Sequence, residues 1–217
     1  MTAFRATLQQ QTRRTAERLV APLARIGVTP NGLTAFGLLL NAVAALLLAV
    51  GAFLPGALMV LFAGAFDMLD GALARATNRK TDFGAFFDST VDRYSEAVVF
   101  LGLQVAFLRQ IGQPSGQPSG QPGGDWLPLA GVVLCYVAAI GSLMVSYTRA
   151  RAEAPPVSLN AEVGWLQRPE RIVILGIGLL LPAPGLLAVL AALAILTQVT
   201  VVQRILHVRR LTAARDG

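Results

Sequence analysis

The stretch that decides the fold lies between residues 67 and 92. It reads DMLDGALAR at residues 67–75, then eight further residues, then GAFFDSTVD at residues 84–92. On a helix, residues three or four positions apart lie on one face, about one turn from each other. The four aspartates therefore form two pairs, Asp67 with Asp70 and Asp88 with Asp92. We expect the two acidic helix faces to meet near the connection between them.

These carboxylates belong to segments that are apolar enough for a membrane. Of the 217 residues, 54 % are hydrophobic and 14 % are charged, and this charged share is about half of that in a soluble domain. Asp67 and Asp70 follow Pro55 by 12 and 15 residues, which is roughly 18 and 22 Å along a helix and still within membrane depth. Ionisable groups at that depth need a water-filled cavity. The sequence thus predicts a polar cavity that opens to the cytoplasm.

Apolar segments along the chain predict an all-α integral membrane protein with six transmembrane helices. Pro30 starts the first helix, where Thr29 or Asn31 can cap it. In the fifth, the purely apolar stretch is too short to span, so Arg168 and Arg171 are expected to enter the membrane region. The six spans are expected at about residues 32–53, 56–76, 83–109, 126–150, 167–182 and 185–206.

The remaining segments complete the predicted organisation. Residues 1–30 mix apolar residues with arginines and predict a cytoplasmic juxtamembrane helix, amphipathic and lying in the membrane interface. Residues 31–208 form one membrane domain, and residues 209–217 form a cytoplasmic tail. The repeated Gly-Gln-Pro-Ser sequence at residues 112–123 predicts a flexible extracytoplasmic loop, because such sequence cannot bury a core.

The positive charges indicate how the chain is oriented. Of 18 basic residues all but Lys80 are arginine, and the formal net charge is +6. Arginines collect before the first apolar segment, in every second connection and at the C-terminus, whereas residues 51–56 and 182–185 carry no charge. This positive-inside pattern predicts a multi-pass cell-membrane protein with both termini and the active site in the cytoplasm. It favours membrane lipid and a phosphorylated substrate as partners over nucleic acid.

Four carboxylates in a low-dielectric site repel one another, and Arg75 alone cannot neutralise them. Hard divalent cations, which prefer oxygen ligands, can neutralise these carboxylates. Mg²⁺ or Mn²⁺ is therefore the expected cofactor. The small residues Gly71, Ala74 and Gly84 leave room beside the carboxylates for a flat ligand to approach the backbone.

The whole pattern resembles the signature of CDP-alcohol phosphotransferases, with all eight fixed positions matched at the right spacing. The resemblance implies that two metal ions are held by four aspartates, Asp67, Asp70, Asp88 and Asp92. It implies that Asp92 also acts as the catalytic base that deprotonates the acceptor hydroxyl. It further implies a CDP-binding set of Asn31, Gly71, Ala74, Arg75 and Gly84, and a homodimer.

Arginines at three helix ends indicate the acceptor. Arg149, Arg171 and Arg204 are expected on the cytoplasmic side, where guanidinium groups can bind a phosphate bidentately. The segments resemble the bacterial phosphatidylinositol phosphate synthases of the family, which have a basic pocket for inositol phosphate, although a lysine is typical at the position of Arg149. Glu96, four residues after Asp92, could support the metal site or pair with an arginine, and pairing is the expectation.

The reaction implied is transfer of the phosphatidyl group of CDP-diacylglycerol to inositol phosphate, with release of CMP. Glycerol 3-phosphate is the alternative acceptor. Two other classes of function remain open. One is a divalent cation transporter, whose acidic groups are expected on several helices near mid-membrane. The other is a prenyl transferase, which needs more spans and lacks the glycine, alanine and arginine of this motif.

Overall fold

The computed structural model describes residue 20 and residues 22–111, 126–161 and 163–216 of the chain. Within these residues there is no β-strand, and six helices account for most of the structure. These helices lie at the positions of the six predicted spans, and the all-α fold is confirmed. They are α1 (Pro30–Ala49), α2 (Phe53–Ala76), α3 (Asp82–Leu108), α4 (Trp126–Glu153), α5 (Arg168–Leu179) and α6 (Ala183–Asp216).

Two threonines fix where α1 and α3 begin. Of the two candidate caps of α1, Thr29 is the one used, accepting a hydrogen bond from the backbone N–H of Gly32 at 3.1 Å. Thr81 caps α3 in the same way, accepting from the backbone N–H of Gly84 at 3.0 Å. N-caps satisfy backbone donors that have no partner inside the helix. The starts of both helices, which carry predicted nucleotide-binding residues, are therefore set by local sequence.

The six helices pack as a closed ring. In order around the ring they are α1, α3, α4, α6, α5 and α2, and α2 packs again on α1. The two helices that carry the aspartates, α2 and α3, both pack on α1 and are joined by the short connection at residues 77–81. Helix α5 has α2 and α6 as its main neighbours. The C-terminal end of α2 and the N-terminal ends of α1, α3 and α5 therefore meet at one end of the ring.

Apolar side chains fill two clusters. The larger one takes buried residues from all six helices and forms the centre of the ring. The smaller one packs Val20 of the N-terminal segment against Leu33 of α1 and Leu73 of α2. Residues 22–25 are helical, and Leu23 and Ala24 pack against the same cluster, so the end of the N-terminal segment packs on the ring. Most of the predicted amphipathic helix lies outside the described residues.

Four of the six helices, α1, α2, α4 and α6, are long and apolar enough to cross a membrane. Helix α3 has 27 residues, but its first half is charged. Helix α5 has 12 residues, which rise about 18 Å, whereas the hydrocarbon core is about 30 Å thick. The two helices that fall short are those whose charged ends reach the predicted cavity.

The chain ends in a helix longer than the sixth predicted span. Helix α6 continues to Asp216 through the residues assigned to the cytoplasmic tail. No proline or glycine lies between residues 186 and 216 to stop it. The predicted repeat loop at residues 112–123 lies outside the described residues.

Helix α1 approaches α3 closely at Gly102, which gives a test of the packing. A methyl group added at Gly102 would lie 2.3 Å from the backbone oxygen of Ala45. We expect Gly102→Ala to force α1 and α3 apart and to lower the melting temperature in detergent, since overpacking costs about 1–3 kcal/mol. Gly37→Ala is the matched control, because its nearest neighbour would be Asp67 at an ordinary 3.9 Å. Equal melting temperatures for the two variants would contradict this packing.

Candidate metal and nucleotide site

The structure brings three of the four predicted metal ligands together. Asp67 and Asp70 lie on α2 and Asp88 lies on α3. Each offers one carboxylate oxygen, and these oxygens all lie within 4.8 Å of one another. Three of the four carboxylates thus meet between two facing helices at the end of the ring.

Asp70 is held in place by both of its oxygens. The hydroxyl of Thr34 on α1 donates a hydrogen bond to Asp70 Oδ2 at 2.7 Å, and both residues are buried. The backbone N–H of Gly71 donates to Asp70 Oδ1. Because Thr34 belongs to a different helix, its hydrogen bond fixes the carboxylate relative to α1 as well as to α2.

The fourth predicted ligand, Asp92, lies beside the cluster of three and joins it through an arginine. Its Oδ1 lies 2.7 Å from Nη1 of Arg168, and its Oδ2 lies 3.2 Å from Nη1 of Arg93. The same Nη1 of Arg168 also donates to Asp67 Oδ2. Arg168 of α5 thus connects a carboxylate of α2 with one of α3, and Asp92 shares a cation with Asp67.

The carboxylates fit a divalent cation by their chemistry and spacing. Oxygen ligands from aspartate are those that Mg²⁺ and Mn²⁺ prefer. Two oxygens on opposite sides of a Mg²⁺ ion at about 2.1 Å are about 4.2 Å apart, so the observed spread of up to 4.8 Å needs only a small adjustment of side chains. Asp70 is only 7 % exposed, and several buried carboxylates require compensating positive charge.

A cleft of about 230 Å³ opens next to the cluster and shares Asp70 and Asp88 with it. Its walls come from the start of α1, the end of α2, the start of α3 and the connection between α2 and α3. All five residues predicted to bind CDP line this cleft: Asn31, Gly71, Ala74, Arg75 and Gly84. The cleft also has two cations that the sequence analysis did not select, Arg79 and Lys80.

Two glycines allow the polar groups of the cleft to approach the backbone. A methyl group added at Gly71 would lie 3.3 Å from Nη1 of Arg75, and one at Gly84 would lie 3.2 Å from Oδ1 of Asn31. Both distances are tighter than ordinary van der Waals contact. Glycine at these positions therefore lets Arg75 lie across α2 and lets the Asn31 side chain lie against α3.

The three arginines predicted to bind the acceptor each contact a group of the chain. Arg149 Nε lies 2.8 Å from Oε1 of Glu153, one turn further along α4. Arg171 is 2 % exposed and pairs with Glu96 of α3, which confirms that Glu96 pairs with an arginine. Arg204 is also buried, and it donates to the backbone oxygens of Val145 and Val163.

Sequence reasoning missed the roles of Thr34 and Arg168 in this site. Thr34 is an ordinary helical residue four positions after Pro30, and no local pattern predicts its contact with Asp70. Arg168 had a signal, since a charge at membrane depth requires a partner of opposite charge. The carboxylates of α2 and α3 were the available partners.

Comparison with known proteins places these residues in a family. Residues 27–212 match the family model described as CDP-alcohol phosphatidyltransferase. A phosphatidylinositol phosphate synthase of Mycobacteroides abscessus is 36 % identical over 209 residues, which cover 91 % of this chain and 85 % of the relative. An archaetidylinositol phosphate synthase of Pyrococcus horikoshii is 34 % identical, with 89 % and 90 % covered.

Solved structures give the same result for the fold. The crystal structure of the Mycobacterium tuberculosis phosphatidylinositol phosphate synthase with CDP-DAG bound matches with a TM-score of 0.74 and 32 % identity, covering 90 % of this chain and 94 % of that one. The structure of the same enzyme in complex with manganese and citrate matches with a TM-score of 0.74, covering 89 % and 88 %. Sequence signature, fold and site geometry agree, and this chain is a membrane protein that belongs to the CDP-alcohol phosphatidyltransferase family.

Proposed function

We propose that this protein transfers the phosphatidyl group of CDP-diacylglycerol to the hydroxyl group of inositol phosphate and releases CMP. The observation that carries the proposal is the position of the cleft: it shares Asp70 and Asp88 with the carboxylate cluster. A nucleotide bound there would have its phosphates next to the carboxylates. Relatives named phosphatidylinositol phosphate synthase and archaetidylinositol phosphate synthase support the choice of acceptor.

The proposed metal ligands are Asp67, Asp70, Asp88 and Asp92, which would hold two ions of Mg²⁺ or Mn²⁺. When bound, the ions would neutralise the pyrophosphate and stabilise the attacking and leaving oxygens together. The manganese complex of the Mycobacterium tuberculosis enzyme supports this cofactor. Cys135, which is fully buried in the apolar cluster, has no role in the proposed chemistry.

The residues of the chain account for the other parts of the reaction. Asn31, Gly71, Ala74, Arg75 and Gly84 would hold the CDP group in the cleft. The acceptor oxygen forms a bond to the lipid-side phosphorus, the bond from that phosphorus to the CMP oxygen breaks, and the hydroxyl proton passes to Asp92. Asp92 is suited to this step because its ion pairs with Arg168 and Arg93 fix its orientation. Arg149, Arg171 and Arg204 would bind the phosphate of the acceptor.

We further propose six membrane spans, an interfacial N-terminal helix, and a cytoplasmic active site in the cell membrane. The ring arrangement supports α3 and α5 as spans, because each packs between two helices that are long and apolar enough to cross. The carboxylate end of the ring is also the end with Arg79 and Lys80, and positive charge marks the cytoplasmic side. The homodimer stays a prediction.

The acceptor is tested by turnover. Detergent-purified protein is incubated with CDP-diacylglycerol, Mg²⁺ and either inositol phosphate, inositol or glycerol 3-phosphate, and CMP is measured. We expect the highest kcat/KM with inositol phosphate, because three arginines favour an acceptor with a phosphate. Faster turnover of glycerol 3-phosphate would identify a phosphatidylglycerol phosphate synthase. No CMP with any alcohol, together with Mg²⁺ flux in vesicles, would favour a transporter.

The role of Asp92 is tested by Asp92→Asn, which keeps the shape of the side chain but removes the base. We expect CMP release to fall by about 10²–10⁴-fold. Asp82→Asn is the matched control: the same substitution on the same helix, at an exposed residue outside the cleft and the cluster. Equal activities of the two variants would rule out the proposed base.

The contact between Thr34 and Asp70 predicts an effect on metal affinity. Thr34→Val removes the hydroxyl that orients Asp70, so we expect Mn²⁺ binding, measured by electron paramagnetic resonance, to weaken by about 10–100-fold. Thr34→Ser keeps the hydroxyl and should bind Mn²⁺ like the parent protein. If Thr34→Val binds Mn²⁺ as tightly as Thr34→Ser, the hydroxyl does not support the metal site.

A further inference from the structure

Two ion pairs connect α5 with α3. Arg168 pairs with Asp92, and Arg171, one turn further along α5, pairs with Glu96, one turn further along α3. The main packing partners of α5 are α2 and α6, so these pairs are side-chain bridges between helices that are not main neighbours. A polar cavity lies beside them, lined by Asp67, Glu96, Arg168 and Arg171 together with apolar residues.

This cavity and the nucleotide cleft contact different parts of the carboxylate cluster. The cavity includes Asp67, whereas the cleft includes Asp70 and Asp88, and the two share no lining residue. At about 30 Å³ the cavity has room for about one water molecule, so a second substrate would have to widen it before meeting a nucleotide in the cleft at the carboxylates.

Glu96 occupies one edge of the Arg171 guanidinium group. Glu96 Oε1 accepts from Nε at 2.8 Å, and Glu96 Oε2 accepts from Nη2 at 3.1 Å. The third nitrogen, Nη1, is buried and has no hydrogen-bond partner among the described residues. A buried donor without a partner is costly, and the edge formed by Nη1 and Nη2 has the geometry that binds a phosphate with two hydrogen bonds.

We propose that Glu96 is a positioning residue for the acceptor: it fixes Arg171 so that its free edge holds the acceptor phosphate at a set distance from Asp92. The proposal rests on the proposed function and assigns to Glu96 a role in it. The spacing supports it, since Asp88, Asp92 and Glu96 follow one another at intervals of four residues on α3 and share one helix face. One helix would thus orient both the base and the phosphate-binding arginine.

Orientation and charge make opposite predictions, and two variants separate them. Glu96→Asp keeps the negative charge but is one methylene too short to hold both nitrogens, so we expect the KM for inositol phosphate to rise by about tenfold. Glu96→Gln removes the charge and keeps one acceptor oxygen, which cannot hold both nitrogens, so the positioning role predicts that it also raises the acceptor KM. If Glu96 only neutralised Arg171, Glu96→Gln would lower the acceptor KM and Glu96→Asp would leave it unchanged, and that result would overturn the proposal.

A double-mutant cycle tests whether Glu96 acts through Arg171. We expect Glu96→Asp to raise the acceptor KM in the parent protein but to have no further effect in an Arg171→Met background. Mn²⁺ affinity and the KM for CDP-diacylglycerol should stay within about twofold of the parent values, because both depend on groups outside this pair. Melting temperatures show whether each variant is folded, and the charge-conserving Glu96→Asp avoids leaving Arg171 buried without a counter-ion.

The outcomes separate this proposal from the proposed function. Suppose that the parent protein uses inositol phosphate. If Glu96→Asp then raises the KM values of both substrates by the same factor, Glu96 is structural and the positioning role is wrong. The same holds if Glu96→Asp raises the acceptor KM by the same factor in the Arg171→Met background as in the parent protein. If the parent protein releases CMP only with alcohols that lack a phosphate, the acceptor assignment and the role of Glu96 both fail.

Discussion

The structure depends on one electrostatic constraint: several carboxylates lie together at the end of a ring of mostly apolar helices. Buried like charges are unstable without compensating cations and hydrogen bonds. The chain supplies part of the compensation itself, through Arg168 between Asp67 and Asp92 and through Thr34 on Asp70. Divalent cations would supply the rest, which explains why a metal-dependent reaction suits this fold.

This constraint also explains why α3 and α5 differ from the other helices. Because their ends are charged, α3 and α5 are less apolar than an ordinary membrane span. Each nevertheless packs between two helices that are long and apolar enough to cross a membrane. Two of these charges on each helix lie largely buried between the helices and meet in pairs, Arg168 with Asp92 and Arg171 with Glu96. Polar groups are tolerated at membrane depth under these conditions, and the low hydropathy of α3 and α5 is a consequence of the site.

The same carboxylates separate two polar spaces. The nucleotide cleft is built from α1, α2, α3 and the connection between α2 and α3, whereas the polar cavity also uses α5. Each space is adjacent to the cluster and has its own arginines, Arg75 and Arg79 in the cleft and Arg168 and Arg171 in the much smaller cavity. The family resemblance had assigned Asp67, Asp70, Asp88 and Asp92 to the metals and made Asp92 the base as well. In the structure, Asp92 lies nearest to α5 through Arg168, on the side where the acceptor is proposed.

Sequence alone determined what local patterns encode. The spacing of the aspartates fixed which carboxylates share a helix face, the proline and threonine before α1 fixed its start, and the apolar segments located the helices, because each of these depends on residues within a few turns. Tertiary structure decided the contacts between distant segments: Thr34 with Asp70, Arg168 with Asp67 and Asp92, and Glu96 with Arg171. These pairs are 36 to 101 residues apart in the chain, and only the closure of the ring brings them within hydrogen-bonding distance.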